Sequence, residues 1–161
     1  MPDPVWTELT HDEIVEGLLR GLARQTECML DGSTPRTKGQ SPTALLGANI
    51  LGAWGEIACS HWYGKPVNLV LKHRSDADLG TKCQVRCRPR HDWDLHVHDI
   101  DKDDEWFVLV TGWPPRFAIR GYIQGAEAKR IGWWGDRGTG FAFWVPQDKL
   151  RMARNQPRDS S

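Results

Sequence analysis

The segment Asp-Leu-Gly-Thr-Lys-Cys-Gln-Val-Arg, residues 78–86, joins an acid and a glycine turn to the start of a β-strand. Because the side chains of a strand alternate between its two faces, we expect Gln84 and Arg86 on one face and Val85 on the other. An acid, an amide oxygen and a cation two residues further on can hold a hard metal ion beside a phosphate. Asp78, Gln84 and Arg86 are therefore candidate site residues.

A long helix is predicted upstream of this segment. It begins at Ser41-Pro42, an N-cap residue followed by proline at the first helical position, and it ends near Gly64. Glu56 lies on the same face of this helix as the small residue Gly52. Small residues let a helix pack close to another element, so we expect Glu56 to emerge at that contact.

Another helix is predicted nearer the N-terminus. Thr10-His11-Asp12-Glu13 is a capping box, which marks the start of this helix. Apolar residues follow at helical spacing and form one stripe, consisting of Ile14, Val15, Leu18, Leu19 and Leu22. The stretch 31–40, rich in Gly, Ser, Thr, Pro and Lys, is typical of a loop.

After Pro66 the hydrophobic pattern becomes that of strands. The predicted strands are residues 67–71, 82–88, 95–99, 106–111, 117–123 and 141–145, and short helices are predicted at 126–129 and 147–150. Trp133-Trp134, flanked by glycines, is predicted to lie in a loop. Helices followed by a run of strands predict an α/β (α+β) fold with a mixed sheet flanked by helices.

The order of these residues resembles the PD-(D/E)XK, or restriction-endonuclease-like, nuclease superfamily in a divergent, phage-type form. Glu56 matches the acid on the helix, Asp78 matches the motif aspartate, and Gln84-Val85-Arg86 stands where the family usually has Glu-x-Lys. The resemblance covers roughly residues 41–150. It divides the chain into an N-terminal helix and loop at 1–40, a nuclease-like domain at 41–153 and a polar tail at 154–161.

This resemblance implies a nuclease that hydrolyses phosphodiester bonds in DNA with Mg²⁺ or Mn²⁺. It assigns catalytic roles to Glu56, Asp78, Gln84 and Arg86, and the first three of these would be the metal ligands. Gln84 carries no charge, and Arg86 does not lose its proton at usable pH, so it cannot act as a general base. These departures favour an alternative, a catalytically inactive nuclease-fold protein that acts as a DNA-binding or protein-interaction module.

The charges of the chain are balanced overall but segregated locally. Lys plus Arg and Asp plus Glu both total 21, which argues modestly against a non-specific nucleic-acid binder. Residues 72–90 nevertheless hold six basic residues against two acids, and residues 92–105 hold seven acids against one base. Lys82, Arg88 and Arg90 are therefore candidates for a rim that binds nucleic-acid phosphates.

Two further features leave alternatives open. Cys83, Cys87, His91, His96 and His98 raise the idea of a zinc site, but their spacing favours buried thiols and surface imidazoles. The nine tryptophans would also suit an inhibitor or a structural interaction protein, and Trp133-Trp134 could stack on an unpaired base.

The remaining expectations concern location and partners. No apolar run approaches the roughly 20 residues that a membrane helix needs, and the first residues do not match a signal peptide. We therefore expect a cytoplasmic protein with no membrane association, and the resemblance implies DNA as its partner. A homodimer and a protein partner both stay open.

Overall fold

The computed structural model describes residues 3–32, 40–68 and 76–157. Its strands are β1 (Val5–Glu8), β2 (Cys83–Arg88), β3 (Leu95–Val97), β4 (Trp106–Trp113), β5 (Arg116–Gln124), β6 (Trp133–Asp136) and β7 (Phe141–Val145). Its helices are α1 (His11–Leu30), α2 (Pro42–Tyr63) and α3 (Gly125–Ile131), with a 3₁₀ turn at Gln147–Lys149. The predicted α/β class, with a mixed sheet flanked by helices, is confirmed. In the described part of the chain, no helix is long and apolar enough to cross a bilayer.

The strands form two sheets. The first has the order β1-β5-β4-β2, in which β2 runs parallel to β4 and the other pairs are antiparallel. The second has the order β3-β7-β6 and is antiparallel. Among the described residues, β2 is therefore an edge strand of the first sheet.

The two faces of the first sheet belong to two separate cores. On one face, Val85 of β2 and Val108 of β4 pack in one cluster with Ile57 of α2. On the other face, Phe107 of β4 packs in a second cluster with Leu95 from the second sheet. The alternation of side chains along β2 and β4 produces this division. The successive layers are α1 with α2, the first sheet, and the second sheet with α3.

The local signals at the helix ends are present as predicted. The Thr10 side chain accepts a hydrogen bond from the Glu13 backbone N–H, while the Glu13 carboxylate accepts one from the Thr10 backbone N–H. The Ser41 hydroxyl accepts from the Ala44 N–H. Gly64 ends α2 in the left-handed conformation, with φ 71°.

The two long helices approach each other through glycines of α1. A Cβ atom added at Gly17 would lie 2.2 Å from the Trp54 ring, and one added at Gly21 would lie 2.5 Å from the Ile50 Cα atom. The buried face of α1 is therefore its glycine face. Most of the apolar stripe that the sequence shows on this helix faces solvent instead.

Some predicted elements differ from the observed ones. Trp133-Trp134, predicted as a loop, is part of β6, because Gly135 does not break the strand. Gly135 instead leaves room for the Trp133 ring, which would lie 2.2 Å from an added Cβ atom. The strand β1 was not predicted. Only Val67 and Asn68 of the predicted strand 67–71 lie within the described residues, and Val67 forms an isolated bridge with Leu79.

We predict that Gly21→Ala lowers the free energy of unfolding by roughly 1–3 kcal/mol, because the methyl group would meet the backbone of α2. Gly47→Ala is the matched control: Gly47 lies inside α2, and nothing lies within 4 Å of an added Cβ atom. This control should stabilise the protein by about 0.5–1 kcal/mol. Chemical denaturation of both variants measures the two effects. Equal stabilisation by both substitutions would contradict the close contact.

Candidate acidic site and its surroundings

Glu56 is buried on α2 and forms an ion pair with α1. Its side chain is 6% exposed, and Arg24 holds both of its oxygens, with Nη1–Oε1 at 2.8 Å and Nη2–Oε2 at 2.5 Å. Two parallel charge-assisted hydrogen bonds of this kind offset the cost of removing a carboxylate from water. The glycine face of α1 makes this contact geometrically possible, since Arg24 follows Gly17 and Gly21 at helical spacing.

Asp78 lies on the outer side of β2, away from β4. Its Oδ2 accepts a hydrogen bond of 2.7 Å from the Val85 N–H, and its own N–H donates to the Cys83 carbonyl at 2.7 Å. The turn between Asp78 and Cys83 thus folds the carboxylate back against the strand that follows it. Asp78 is 8% exposed.

Glu56 and Asp78 both raise the pKa values of two neighbouring groups, Arg24 and Cys59. Burial alone would lower the pKa of Arg24, but Glu56 and then Asp78 raise it above its ordinary value. Burial raises the pKa of the Cys59 thiol, and Cys83, Asp78 and Glu56 raise it further. Glu56 on α2 and Asp78 at the edge of β2 are therefore both near enough to Arg24 and Cys59 to influence their charge.

Gln84 lies on the opposite face of β2 from Glu56. Its Nε2 donates to the Asp76 carbonyl at 2.9 Å and to Glu105 Oε2 at 3.1 Å. It therefore holds the backbone two residues before Asp78 and is not grouped with the Glu56 carboxylate.

Arg86 shares the face of Gln84. Its Nη2 lies 2.8 Å from Asp101 Oδ2, and its guanidinium carbon is 5.1 Å from the centre of the Phe107 ring. Asp101 Oδ2 also accepts from the His98 N–H. Arg86 therefore ties β2 to the turn that follows β3.

The three residues proposed as a phosphate-binding rim have different environments. Lys82 forms an ion pair with Asp104 at 3.1 Å, and Arg90 forms one with Asp92 at 2.9 Å, both at the surface. Arg88 is partly buried, and burial lowers its pKa. Its Nε has no hydrogen-bond partner among the described residues.

Arg88 belongs to a stack of alternating rings and guanidinium groups that connects β2 with the second sheet. The successive distances from guanidinium carbon to ring centre are 4.5, 5.5, 4.9 and 5.6 Å. We call this stack the arginine–tryptophan ladder; in order, its members are Trp93, Arg88, Trp144, Arg137 and Trp133.

The exposed ends of the ladder are its outer tryptophans. Trp93 is 37% exposed and Trp133 is 57% exposed, whereas Trp144 in the middle is buried. Gln147 fixes the loop that carries Trp93 by donating to the carbonyls of His91 and Trp93, at 2.8 Å each. Asp94 accepts from Arg137 at 2.8 Å. Two aromatic surfaces are therefore held in place beside cationic groups.

Sequence reasoning missed Arg24 and the ladder, although each has a signal in the chain. An arginine on the same helix face as two packing glycines is brought against the neighbouring element, and a partly buried cation needs an acid. Arg88 follows Gln84 and Arg86 at two-residue steps along β2, which places it on the same face, toward the second sheet.

The acidic pair has the donor chemistry that Mg²⁺ or Mn²⁺ requires. Mg²⁺ is commonly held by one or two carboxylates, with water and phosphate oxygens completing its octahedron, and Glu56 and Asp78 would be those carboxylates. Arg24 is the competing partner of Glu56. Within residues 3–32, 40–68 and 76–157, no three His, Cys, Asp or Glu side chains are grouped to hold one ion.

Comparisons of the chain with protein-family models, with curated proteins and with solved structures gave no match. Function is therefore inferred from the side chains described above.

The pKa of Asp101 makes the stability depend on pH. Burial alone would raise this pKa, but Arg86 and the His98 N–H outweigh it and hold the pKa below its ordinary value of 3.8. A carboxylate with a depressed folded pKa stabilises the protein above the unfolded pKa, and this contribution disappears as the pH falls through the folded value.

We predict that the free energy of unfolding falls below about pH 4 and that Asp101→Asn reduces this dependence while lowering stability at neutral pH. Urea denaturation at several pH values measures both effects. Asp99→Asn, which removes an exposed charge two residues away, is the control and should retain the wild-type slope. Parallel pH curves for the wild type and Asp101→Asn would contradict the prediction.

Proposed function

We propose that this protein is a metal-dependent nuclease that hydrolyses phosphodiester bonds in DNA, with Glu56 and Asp78 as the ligands of Mg²⁺ or Mn²⁺. The supporting observation is that two buried acids far apart in the chain border β2. Glu56 lies on α2 beside Ile57, which packs in one cluster with Val85, and Asp78 accepts from the Val85 N–H at the strand edge. A bound ion would supply a water of lowered pKa and would neutralise charge on the phosphate.

The residues at the Glu-x-Lys position have positioning roles in this proposal. Gln84 holds the backbone at Asp76 and so helps to place Asp78, while Arg86 pairs with Asp101. Arg24 competes with the metal ion for Glu56, because its guanidinium already binds both carboxylate oxygens. Metal binding therefore requires Arg24 to release at least one of these oxygens.

The second candidate is a nuclease-like scaffold that binds nucleic acid without cleaving it. Two of the four motif side chains are engaged in ion pairs within the fold, Glu56 with Arg24 and Arg86 with Asp101. The arginine–tryptophan ladder also offers exposed rings beside guanidinium groups. Rings of this kind stack on unpaired bases with little sequence preference.

We predict that Asp78→Asn abolishes metal-dependent cleavage, because it removes one charge of the acidic pair but keeps an oxygen that can accept from the Val85 N–H. Plasmid, linear duplex and single-stranded DNA are incubated with Mg²⁺, Mn²⁺ or EDTA. Activity should fall by roughly a hundredfold or more. Mn²⁺ titration calorimetry should also show weaker binding.

Asp104→Asn is the matched control, since Asp104 is an exposed acid paired with Lys82 near the same segment. It should retain both cleavage and Mn²⁺ binding, and thermal melts should show that both variants are folded. An inert wild type whose Mn²⁺ affinity equals that of Asp78→Asn would refute the nuclease proposal and leave the second candidate.

We predict that Trp133→Ala weakens binding of a fluorescent oligothymidylate by roughly 1–3 kcal/mol, the contribution of one stacked base. Anisotropy is measured in EDTA, so cleavage does not contribute. Trp113→Ala is the control, because Trp113 is 59% exposed, slightly more than Trp133, and packs against Trp54 outside the ladder. Equal affinities for Trp133→Ala and Trp113→Ala would exclude the ladder as the binding surface.

A further inference from the structure

The outward face of α1 is a largely apolar surface that the fold leaves in solvent. Six large side chains on it are between 41% and 79% exposed. We call this surface the outer stripe of α1; it consists of Val15, Leu18, Leu19, Leu22, Met29 and Leu30.

The size of the outer stripe is at the upper limit of what a monomer normally exposes. Between Val15 and Leu30 the helix rises about 22 Å at ~1.5 Å per residue. The six side chains leave on the order of 600 Å² of apolar surface in water, the upper end for a monomeric protein. Each partner in a standard interface contributes about 800 Å², so a helix pair with its flanks approaches that area.

The spacing along the stripe is that of a helix-pairing seam. Val15, Leu19, Leu22, Thr26 and Met29 follow one another at alternating steps of four and three residues, as in a heptad repeat. Thr26 is the one polar residue among them, and no charged side chain interrupts the seam. The seam therefore suits a second apolar helix.

The charge of α1 argues against a membrane surface as the occupant. Helices that lie on bilayers carry Lys and Arg on their polar face, which anionic lipids attract. α1 contains no lysine, its first turn is acidic, and its last turn has no basic residue. Arg20 and Arg24 are engaged by Glu16 and Glu56.

We propose that the outer stripe of α1 is a homodimer interface, in which α1 pairs antiparallel with α1 of a second copy about a twofold axis at Leu22. A twofold interface uses the same patch on both copies, and the stripe extends seven residues from Leu22 in each direction, to Val15 and to Met29. Antiparallel pairing places Val15 opposite Met29 of the second copy.

Helix dipoles and charges favour this antiparallel direction over the parallel one. A parallel pair would place Asp12 beside Asp12 and Glu16 beside Glu16 of the second copy. An antiparallel pair sets the positive N-terminal end of one helix against the negative C-terminal end of the other. This inference does not depend on the proposed nuclease activity.

Sedimentation equilibrium of the full chain tests the proposal. The wild type should have twice the 18.3 kDa mass of one chain at micromolar concentration. Leu22→Glu places two like charges against each other at the axis and should weaken dimerisation by about a hundredfold or more. Ile100→Glu is the control, because Ile100 is 68% exposed in a turn away from α1, and it should remain a dimer.

Disulfide crosslinking tests the direction of pairing in a Cys28→Ser background. The Leu22→Cys variant should form a disulfide-linked dimer with a second molecule of the same variant. The Cα atoms of residue 22 in the two copies would lie within disulfide distance at the axis. Val15→Cys alone should not crosslink, but it should do so when mixed with Met29→Cys. Crosslinking of Val15→Cys alone would overturn the antiparallel arrangement.

Two results of the sedimentation experiment would overturn the dimer proposal. One is a wild type that stays monomeric at high micromolar concentration. The other is a Leu22→Glu variant that dimerises as strongly as Ile100→Glu. Because Leu22 is half exposed in the monomer, its replacement leaves the core intact, and unchanged far-UV circular dichroism confirms folding.

Discussion

The close approach of α1 to α2 through two glycines is the constraint on which the rest of this structure depends. Gly17 and Gly21 bring the α1 backbone against Trp54 and Ile50. The same approach carries Arg24 to Glu56 at hydrogen-bond distance. It also turns the bulky apolar side chains of α1 away from the core. The ion pair between Arg24 and Glu56 and the exposed apolar stripe thus both result from the packing of the glycine face of α1 against α2.

The two faces of β2 carry different side chains of the predicted site. Val85 faces the helices with Glu56, whereas Gln84 and Arg86 face the second sheet. Asp78 avoids this division because it lies along the outer side of the strand rather than on either face. An edge position is therefore what allows an acid before β2 to act with an acid from α2.

The neutral net charge of the chain is reflected in ion pairs between neighbouring basic and acidic residues. Cations of the proposed rim at Lys82 and Arg90 each have a carboxylate within 3.1 Å, so the basic stretch 72–90 and the acidic stretch 92–105 partly neutralise each other. Arg88 is instead stabilised by aromatic rings, an environment that tolerates a weakly hydrated guanidinium better than an ammonium group. Nucleic-acid contact by this protein would therefore use rings and a few guanidinium groups more than a broad positive field.

The sequence by itself determined the features that have local causes. These are the capped starts of α1 and α2, the strand Cys83–Arg88, and the placement of Gln84 and Arg86 on one face. Only the tertiary structure decided which partner each charged group takes, since Arg24 and Glu56 are 32 residues apart and no local pattern links them. It also decided which side of α1 is buried. Periodicity identifies an apolar stripe, but burial depends on which face another element can approach most closely, and on α1 that face is lined by glycine.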